Sequence, residues 1–251
     1  MSIGQGDFVL LNYTLKIKEE DKVIDTTLRE LGEKYKIEKE RFEPILVIVG
    51  EGVVPKGLEE GIVGLEEGSE KTVEVPPDKG FGRRDPNLVR VYSARFFANR
   101  GVIPRVNMEV EIDGRRGVIL SVGGGRVIVD LNHPLAGKTL IYKVKIVKII
   151  KSLEDKVKAL LRRNLYLKEE EVKDIKVIEN GKVLEITFPL TILGTDELYK
   201  RVSTFIEDIG KHIPSVETVR FRIEHVFEKP KVKEEGVKRE AQPQRAEGSG
   251  S

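Results

Sequence analysis

The chain contains no cysteine, only two methionines and three histidines, and no apolar run longer than a strand. Without cysteine there are no disulfides, no thiolate metal sites and no cysteine nucleophile. Runs such as 45–49 and 118–122 fall far short of the ~20 residues that span a bilayer, so no membrane is expected as a partner. The first 20 residues lack a basic segment followed by an apolar one, which argues against secretion and for a cytoplasmic location. An excess of one charge is missing too. Forty-four Lys and Arg against 42 Asp and Glu leave a net charge of +2, too balanced to make nucleic acid or the ribosome a principal partner.

Motifs for common chemistries are also lacking. His133, His212 and His225 fall in different expected elements, none with a second histidine at ligand spacing, so no metal site is expected. Gly50-x-Gly52 is followed neither by a third glycine nor by Gly-Lys-Ser/Thr, which removes dinucleotide and phosphate loops. No Gly-x-Ser-x-Gly or persuasive Ser, His and acid arrangement occurs. No cofactor is implied.

What is present is a sequence of short elements in a chain of 251 residues, long enough for more than one domain. Residues 8–17 alternate, with Val9, Leu11, Tyr13, Leu15 and Ile17 on one face, and predict a half-buried strand; a polar turn at 20–22 leads into a second strand at 23–25. Residues 28–42 read as a charged excursion of one or two helical turns, weakened by Gly32. A buried strand at 44–49, a short helix after Pro55 and a strand at 70–75 follow. Residues 84–134 change to short strands separated by the hairpin signals Asp113-Gly114 and Gly123-Gly124-Gly125, a small β unit. A long strand at 139–150, with Leu140, Tyr142, Val144, Ile146 and Lys148 on one face, suggests that this unit interrupts an earlier domain.

Ser152 opens a helix with the capping pattern Ser-x-x-Asp, and two strands turn at Asn180-Gly181. A helix capped by Thr195 and stopped by Gly210 precedes a last strand through Val219, Phe221 and Ile223. The order α-β-β-α-β predicts a further mixed domain at 152–228. Residues 229–251 are almost without apolar side chains and are expected to be disordered.

The segment VGEGVVPKGLEEGIVGLEEGSEKTVEVPPDKGFG, residues 49–82, resembles the central segment of FKBP-type peptidyl-prolyl isomerases. Tyr13 with Lys22-Val23-Ile24-Asp25, and Leu140-Ile141-Tyr142-Lys143-Val144, resemble the family's flanking strands. Asn132-His133-Pro134-Leu135-Ala136-Gly137-Lys138, after an excursion of some 50 residues, resembles the SlyD-like branch with an inserted flap. The C-terminal part is similar only to the longer architecture of archaeal FKBP-type proteins. The family's pocket-floor tryptophan or leucine is Leu58 here, and its loop tyrosine is Phe81.

The resemblance implies an α+β chain: an antiparallel sheet wrapped on a short helix, built from residues 1–84 and 135–151. A small all-β flap at 85–134 is inserted, and a C-terminal α-β-β-α-β domain at 152–228 follows. It implies an Xaa-Pro isomerase acting on unfolded or partly folded polypeptides, with a pocket of Tyr13, Asp25, Val54, Pro55, Leu58, Phe81 and Tyr142 and with Ile45 and Val47 as further walls. In the flap, Val91, Phe96, Phe97, Val102 and Ile103 either fill a small core or present a client-binding patch. Self-association through the C-terminal domain is a further expectation. Two alternatives stand beside this one. A pure holdase with a vestigial pocket is motivated by Phe81 in place of tyrosine. A ribosome- or RNA-associated factor is motivated by Arg83, Arg84, Arg90, Arg95, Arg100 and Arg105 and by the charged tail at 229–251.

Overall fold

The computed structural model describes residues 2–225; the disorder expected for 229–251 concerns residues outside that range. The chain runs β1 (Phe8–Ile17), β2 (Lys22–Thr26), α1 (Arg29–Tyr35), β3 (Ile45–Ile48), α2 (Lys56–Ile62) and β4 (Glu70–Val75). Then come β5 (Val89–Ser93), α3 (Ala94–Ala98), β6 (Glu109–Ile112), β7 (Arg115–Gly123) and β8 (Arg126–Asp130). β9 (Leu140–Ile150), α4 (Leu153–Leu165), α5 (Glu169–Lys173), β10 (Lys176–Asn180), β11 (Val183–Pro189), α6 (Leu198–His212) and β12 (Thr218–Glu224) complete it. The class is α+β with largely antiparallel sheets and few helices, consistent with the expected sheet on a short helix plus added units.

The first sheet has the order β2-β1-β9-β4, with β3 paired to the start of β1. Its inner face, carrying Val9, Leu11, Leu15, Tyr142 and Val144, packs with Leu58 and Ile62 of α2. The helix lies so close that a Cβ on Gly57 or Gly61 would meet Val75 at 2.8 Å or Val73 at 2.5 Å, and glycine at both positions permits that approach.

The alternation of β1 predicts burial on one face only, yet its first half is buried on both. Phe8 pairs with Ile48 and Ile150, and this outer row packs against Val157, Leu161 and Phe205 of the C-terminal part in one continuous core. That explains the unbroken apolar runs at the start of β1 and along β3, which strands covered on two faces require. A register shift places Leu11 opposite Ile146 and Leu10 opposite Lys148, leaving Val147 outside the ladder. Ile149, not Lys148, therefore continues the inner face.

The interrupting unit forms its own sheet, β5-β8-β7-β6, around a separate core of Phe97, Ile112, Ile119, Val127, Val129 and Leu131. It adds the strand β5 and the single-turn helix α3 to the expected strands; Ser93 caps that helix by accepting from the Phe96 amide. Its two junctions meet. The Asp85 amide donates to Asn132 Oδ1 at 2.8 Å, Asn132 Nδ2 donates to the Asp85 carbonyl at 3.0 Å, and the Gly137 amide donates to the Gly82 carbonyl at 2.8 Å.

In the C-terminal part, the hairpin β10-β11 turns on Gly181-Lys182, one residue beyond the expected Asn180-Gly181, because Asn180 stays in the ladder opposite Val183, and β12 joins β11 in parallel. Ser152 caps α4 as the sequence predicts. Thr195 does not cap α6: its amide closes the preceding 3-10 turn on the Ile192 carbonyl, and the helix begins after Glu197. Nor does Gly210 stop it. An interior glycine costs only about 1 kcal/mol, and the helix runs to His212, ending where Pro214 disfavours helical geometry at Ile213. The unforeseen α5, rich in glutamate, buries only Val172 and so carries no apolar periodicity.

Candidate active site

Strand register assembles the polar part of the site. Ile24 bulges out of the β1–β2 ladder, so Asp25 faces Leu15, which on its other side faces Tyr142. The irregularity turns Asp25 onto the inner face. Tyr13, one diagonal step along β1, brings its ring to 5.8 Å from that of Tyr142 at 55°, within the range of favourable aromatic pairs. The Tyr13 hydroxyl donates to Asp25 Oδ2. Asp25 Oδ1 accepts from the Thr26 amide at 2.8 Å and from Lys39 Nζ at 3.1 Å.

Burial pushes the Tyr13 phenol far up from its ordinary value, and the hydrogen bond to Asp25 adds to it. Burial, then the Asp25 charge, pushes Tyr142 up to about 12. Both phenols therefore stay neutral when folded but ionise at about 10 when exposed. Their contribution to stability is complete below pH ~10 and is lost as pH rises toward and through the folded values. The urea midpoint is expected to fall from about pH 10 upward and to fall less in Tyr142→Phe; an equal fall in both proteins would contradict this.

The apolar part comes from α2 and the loops around it. Leu58 and Tyr142 belong to the buried inner core, and Tyr13, Ile45, Val54 and Phe81 pack against it half-buried. Val47 is 0% exposed and supports the wall from behind rather than presenting surface. A cleft of about 720 Å³ opens beside Val54, Pro55 and Phe81, with Gln5, Glu59 and Glu60 also on its walls. Tyr13, Asp25, Leu58 and Tyr142 are not among its lining residues; the contact shared by the two groups is the inner core. The loop carrying Val54 and Pro55 is braced by Glu59, whose carboxylate accepts from the Gly50 and Gly52 amides at 3.1 and 2.9 Å.

Two neighbours were not foreseen as site residues. Lys39 arrives from the charged excursion after α1, where no spacing marks one lysine among many. His133, within the Asn-His-Pro string, stacks flat on Phe81, centroids 4.3 Å apart and planes 1° apart. Its Nδ1 accepts from the Leu135 amide at 3.1 Å, which fixes the ring at the flap junction.

In the flap, Phe97 is 2% exposed and is a core residue rather than part of a surface patch. Phe96 is half-covered by the Arg100 guanidinium, 3.7 Å above its ring, and Val102 packs against the flap core. Val91 and Ile103 are 60% and 76% exposed. Among the described residues, Glu51, Asp208 and His212 bring ligand-type atoms close together. The guanidinium of Arg163 already occupies that group, contacting Glu51 at 2.6 Å and Asp208 at 2.7 Å, a cation where a metal would have to sit.

Residues 94–135 match a family described as FKBP26, IF domain. The chain is 38% identical over 146 residues to a short-type peptidyl-prolyl cis-trans isomerase of Methanocaldococcus jannaschii, covering 57% of this chain and 92% of that one. It is 33% identical over 124 residues to the FKBP-type peptidyl-prolyl cis-trans isomerase SlyD of Treponema pallidum, covering 46% and 68%. With an FKBP-type 16 kDa peptidyl-prolyl cis-trans isomerase of Escherichia coli it shares 29% over 157 residues, covering 61% and 97%. The inner-face aromatic pair, the short glycine-containing helix and these relatives agree: the chain belongs to the FKBP-type peptidyl-prolyl cis-trans isomerases.

Proposed function

We propose that Tyr13, Asp25, Val54, Pro55, Leu58, Phe81 and Tyr142 form the site at which this isomerase turns Xaa-Pro bonds, with Ile45 at its edge. The observation that carries the assignment is the convergence of Tyr13, Asp25 and Tyr142, from three strands, on the face that buries Leu58. Rotation about the bond sacrifices amide resonance, with a barrier of ~18–20 kcal/mol, and breaks no covalent bond. A surface that excludes water destabilises the planar, polar amide relative to the twisted imide, and binding the twisted form better than either planar isomer accelerates exchange. Asp25 holds Tyr13 in place, and Lys39 and the Thr26 amide balance its charge. No general acid or base is called for.

Phe81→Ala is expected to lower kcat/KM on a proline tetrapeptide by about tenfold, ~1.4 kcal/mol of transition-state binding, with the melting midpoint nearly kept. The half-buried ring sits on a glycine-flanked loop outside the buried core. Loss of folding in this variant would mean a structural role instead.

Residues 85–134 act in this reading as a chaperone-like flap that holds unfolded segments near the pocket. Exposed Val91 and Ile103 support it, as does the separate core, which lets the unit stand apart from the catalytic sheet. The clients are non-native polypeptides containing Xaa-Pro bonds. Exposed Ile206, Phe221 and Ile223 in the C-terminal part support self-association there; sedimentation of the intact chain as a monomer at all concentrations would remove it. Among the described residues no helix is long and apolar enough to cross a membrane.

A further inference from the structure

Residues 85–134 contain seven arginines and no lysine, whereas the whole chain has 26 lysines and 18 arginines. Elsewhere the basic side chains are widely paired, as in Lys79 with Glu60, Lys148 with Asp155 and Arg163 with Glu51. In the flap they are not. Arg90, Arg95, Arg105, Arg115, Arg116 and Arg126 are exposed, and among the described residues none forms an ion pair or donates a guanidinium hydrogen bond. Glu111 sits directly opposite Arg116 in the ladder without engaging it.

Register places some of these arginines beside uncovered apolar surface. On the sheet face opposite the flap core, Val91 lies across from Ile128, and Val89 and Val118 flank Asp130. None of these four valine and isoleucine side chains packs against the flap core. Arg126 occupies the next position on that face beyond Ile128, beside Ser93, and Arg116 the next beyond Val118. The result is an apolar strip bounded by free guanidinium groups.

We propose that this face selects non-native polypeptide segments in which apolar residues are flanked by Asp or Glu. This rests on the flap's role as a client-binding unit and names the clients it prefers. The strip removes apolar side chains from water, a gain a nucleic acid backbone would not realise, and arginine, unlike lysine, meets a carboxylate through two parallel hydrogen bonds. The net charge of the chain is close to zero, so the preference is local to the flap.

The test uses the full-length protein and three labelled probes of about 20 units each. One is a peptide with an apolar centre flanked by Asp and Glu, the second is the same peptide with Asn and Gln, and the third is a single-stranded RNA. With two exposed charge pairs gained, the acidic peptide is expected to bind about tenfold more tightly than the neutral one at low salt, the margin shrinking as salt rises. The double variant R116Q/R126Q should erase the difference and leave the neutral peptide's affinity as it was. Val91→Ser should weaken both peptides. Equal affinity of wild type for both peptides would overturn the selectivity and leave client capture standing, whereas binding of neither would overturn both. RNA bound more tightly than either peptide, and unaffected by Val91→Ser, would assign the face to nucleic acid instead.

Discussion

Replacing residues 86–131 with a short glycine-rich linker is expected to leave most of the catalysis of a proline tetrapeptide and to slow catalysis of proline-limited protein refolding by about 100-fold. A flap that holds a client weakly makes each encounter of its prolines with the pocket effectively intramolecular, and linked sites exceed either affinity by about 10²-fold or more. A tetrapeptide is too short to bridge both. The boundaries follow from the junction: Asp85 and Asn132 clasp the two strands, and His133 stacks on Phe81, so both must stay. Equal loss on both substrates would mean that the flap shapes the pocket. No loss on either would remove the chaperone role.

Arg163→Ala is expected to cost about 3 kcal/mol of folding stability at neutral pH, the lower end of what breaking a buried ion pair removes. Arg163 meets both Glu51 oxygens at 2.6 and 3.0 Å and Asp208 at 2.7 Å, while the Glu51 side chain is only 6% exposed and also contacts His212 at 3.0 Å. Without the guanidinium, two carboxylates remain in a partly buried seam between the catalytic sheet and the C-terminal part. Burial alone would raise the Glu51 pKa; Arg163 and then His212 more than offset it and hold the group below its ordinary 4.5. Glu51 therefore contributes stability above pH about 4.5 that is lost as pH falls through its lowered folded value. A urea midpoint series checks both points. Arg163→Met combined with Glu51→Met should lose less than Arg163→Ala, because it leaves one carboxylate rather than two, and that one, Asp208, still accepts from Asn164 Nδ2 at 2.7 Å. A single variant as stable as wild type would show that the seam contributes nothing. Since Glu51 begins the loop that carries Val54 and Pro55, the C-terminal part also holds one wall of the pocket region.

Much of this architecture is legible in the residues. The hairpins signalled by Asp113-Gly114 and Asn180-Gly181 stand out because both need backbone with positive φ: Asp113 and Gly114 lie at 52° and 75°, and Gly181 at 61°, although the second loop is Gly181-Lys182, with Asn180 kept in the ladder. The α2 helix, the long β9 and the interruption between β4 and β9 follow from periodicity and punctuation. What the pattern hides is what depends on a distant partner. The outer face of β1 is apolar at Phe8 and Leu10 because α4 and the C-terminal core cover it, and no local signal says so. Bulges at Ile24 and Val147 shift which residues face inward, and a one-residue shift in a period of two reverses the face. Tyr13, Asp25 and Tyr142 could be named from the strands that carry them, while Lys39, one lysine in a charged run, could not. The separation of Phe97, buried, from Val91, exposed, is likewise decided by α3 folding onto the flap sheet.

One apolar and aromatic site is expected to lower the barrier to Xaa-Pro rotation. The direct measurement is the cis-trans exchange rate of a proline tetrapeptide by NMR exchange spectroscopy, with the protein at a small fraction of the peptide concentration. Uncatalysed exchange takes tens to hundreds of seconds, so turnover is readily seen. The exchange rate should rise in proportion to protein concentration and fall about tenfold in Phe81→Ala. Exchange at the uncatalysed rate from a folded protein that still suppresses aggregation of an unfolded client would contradict an isomerase site and leave a holdase.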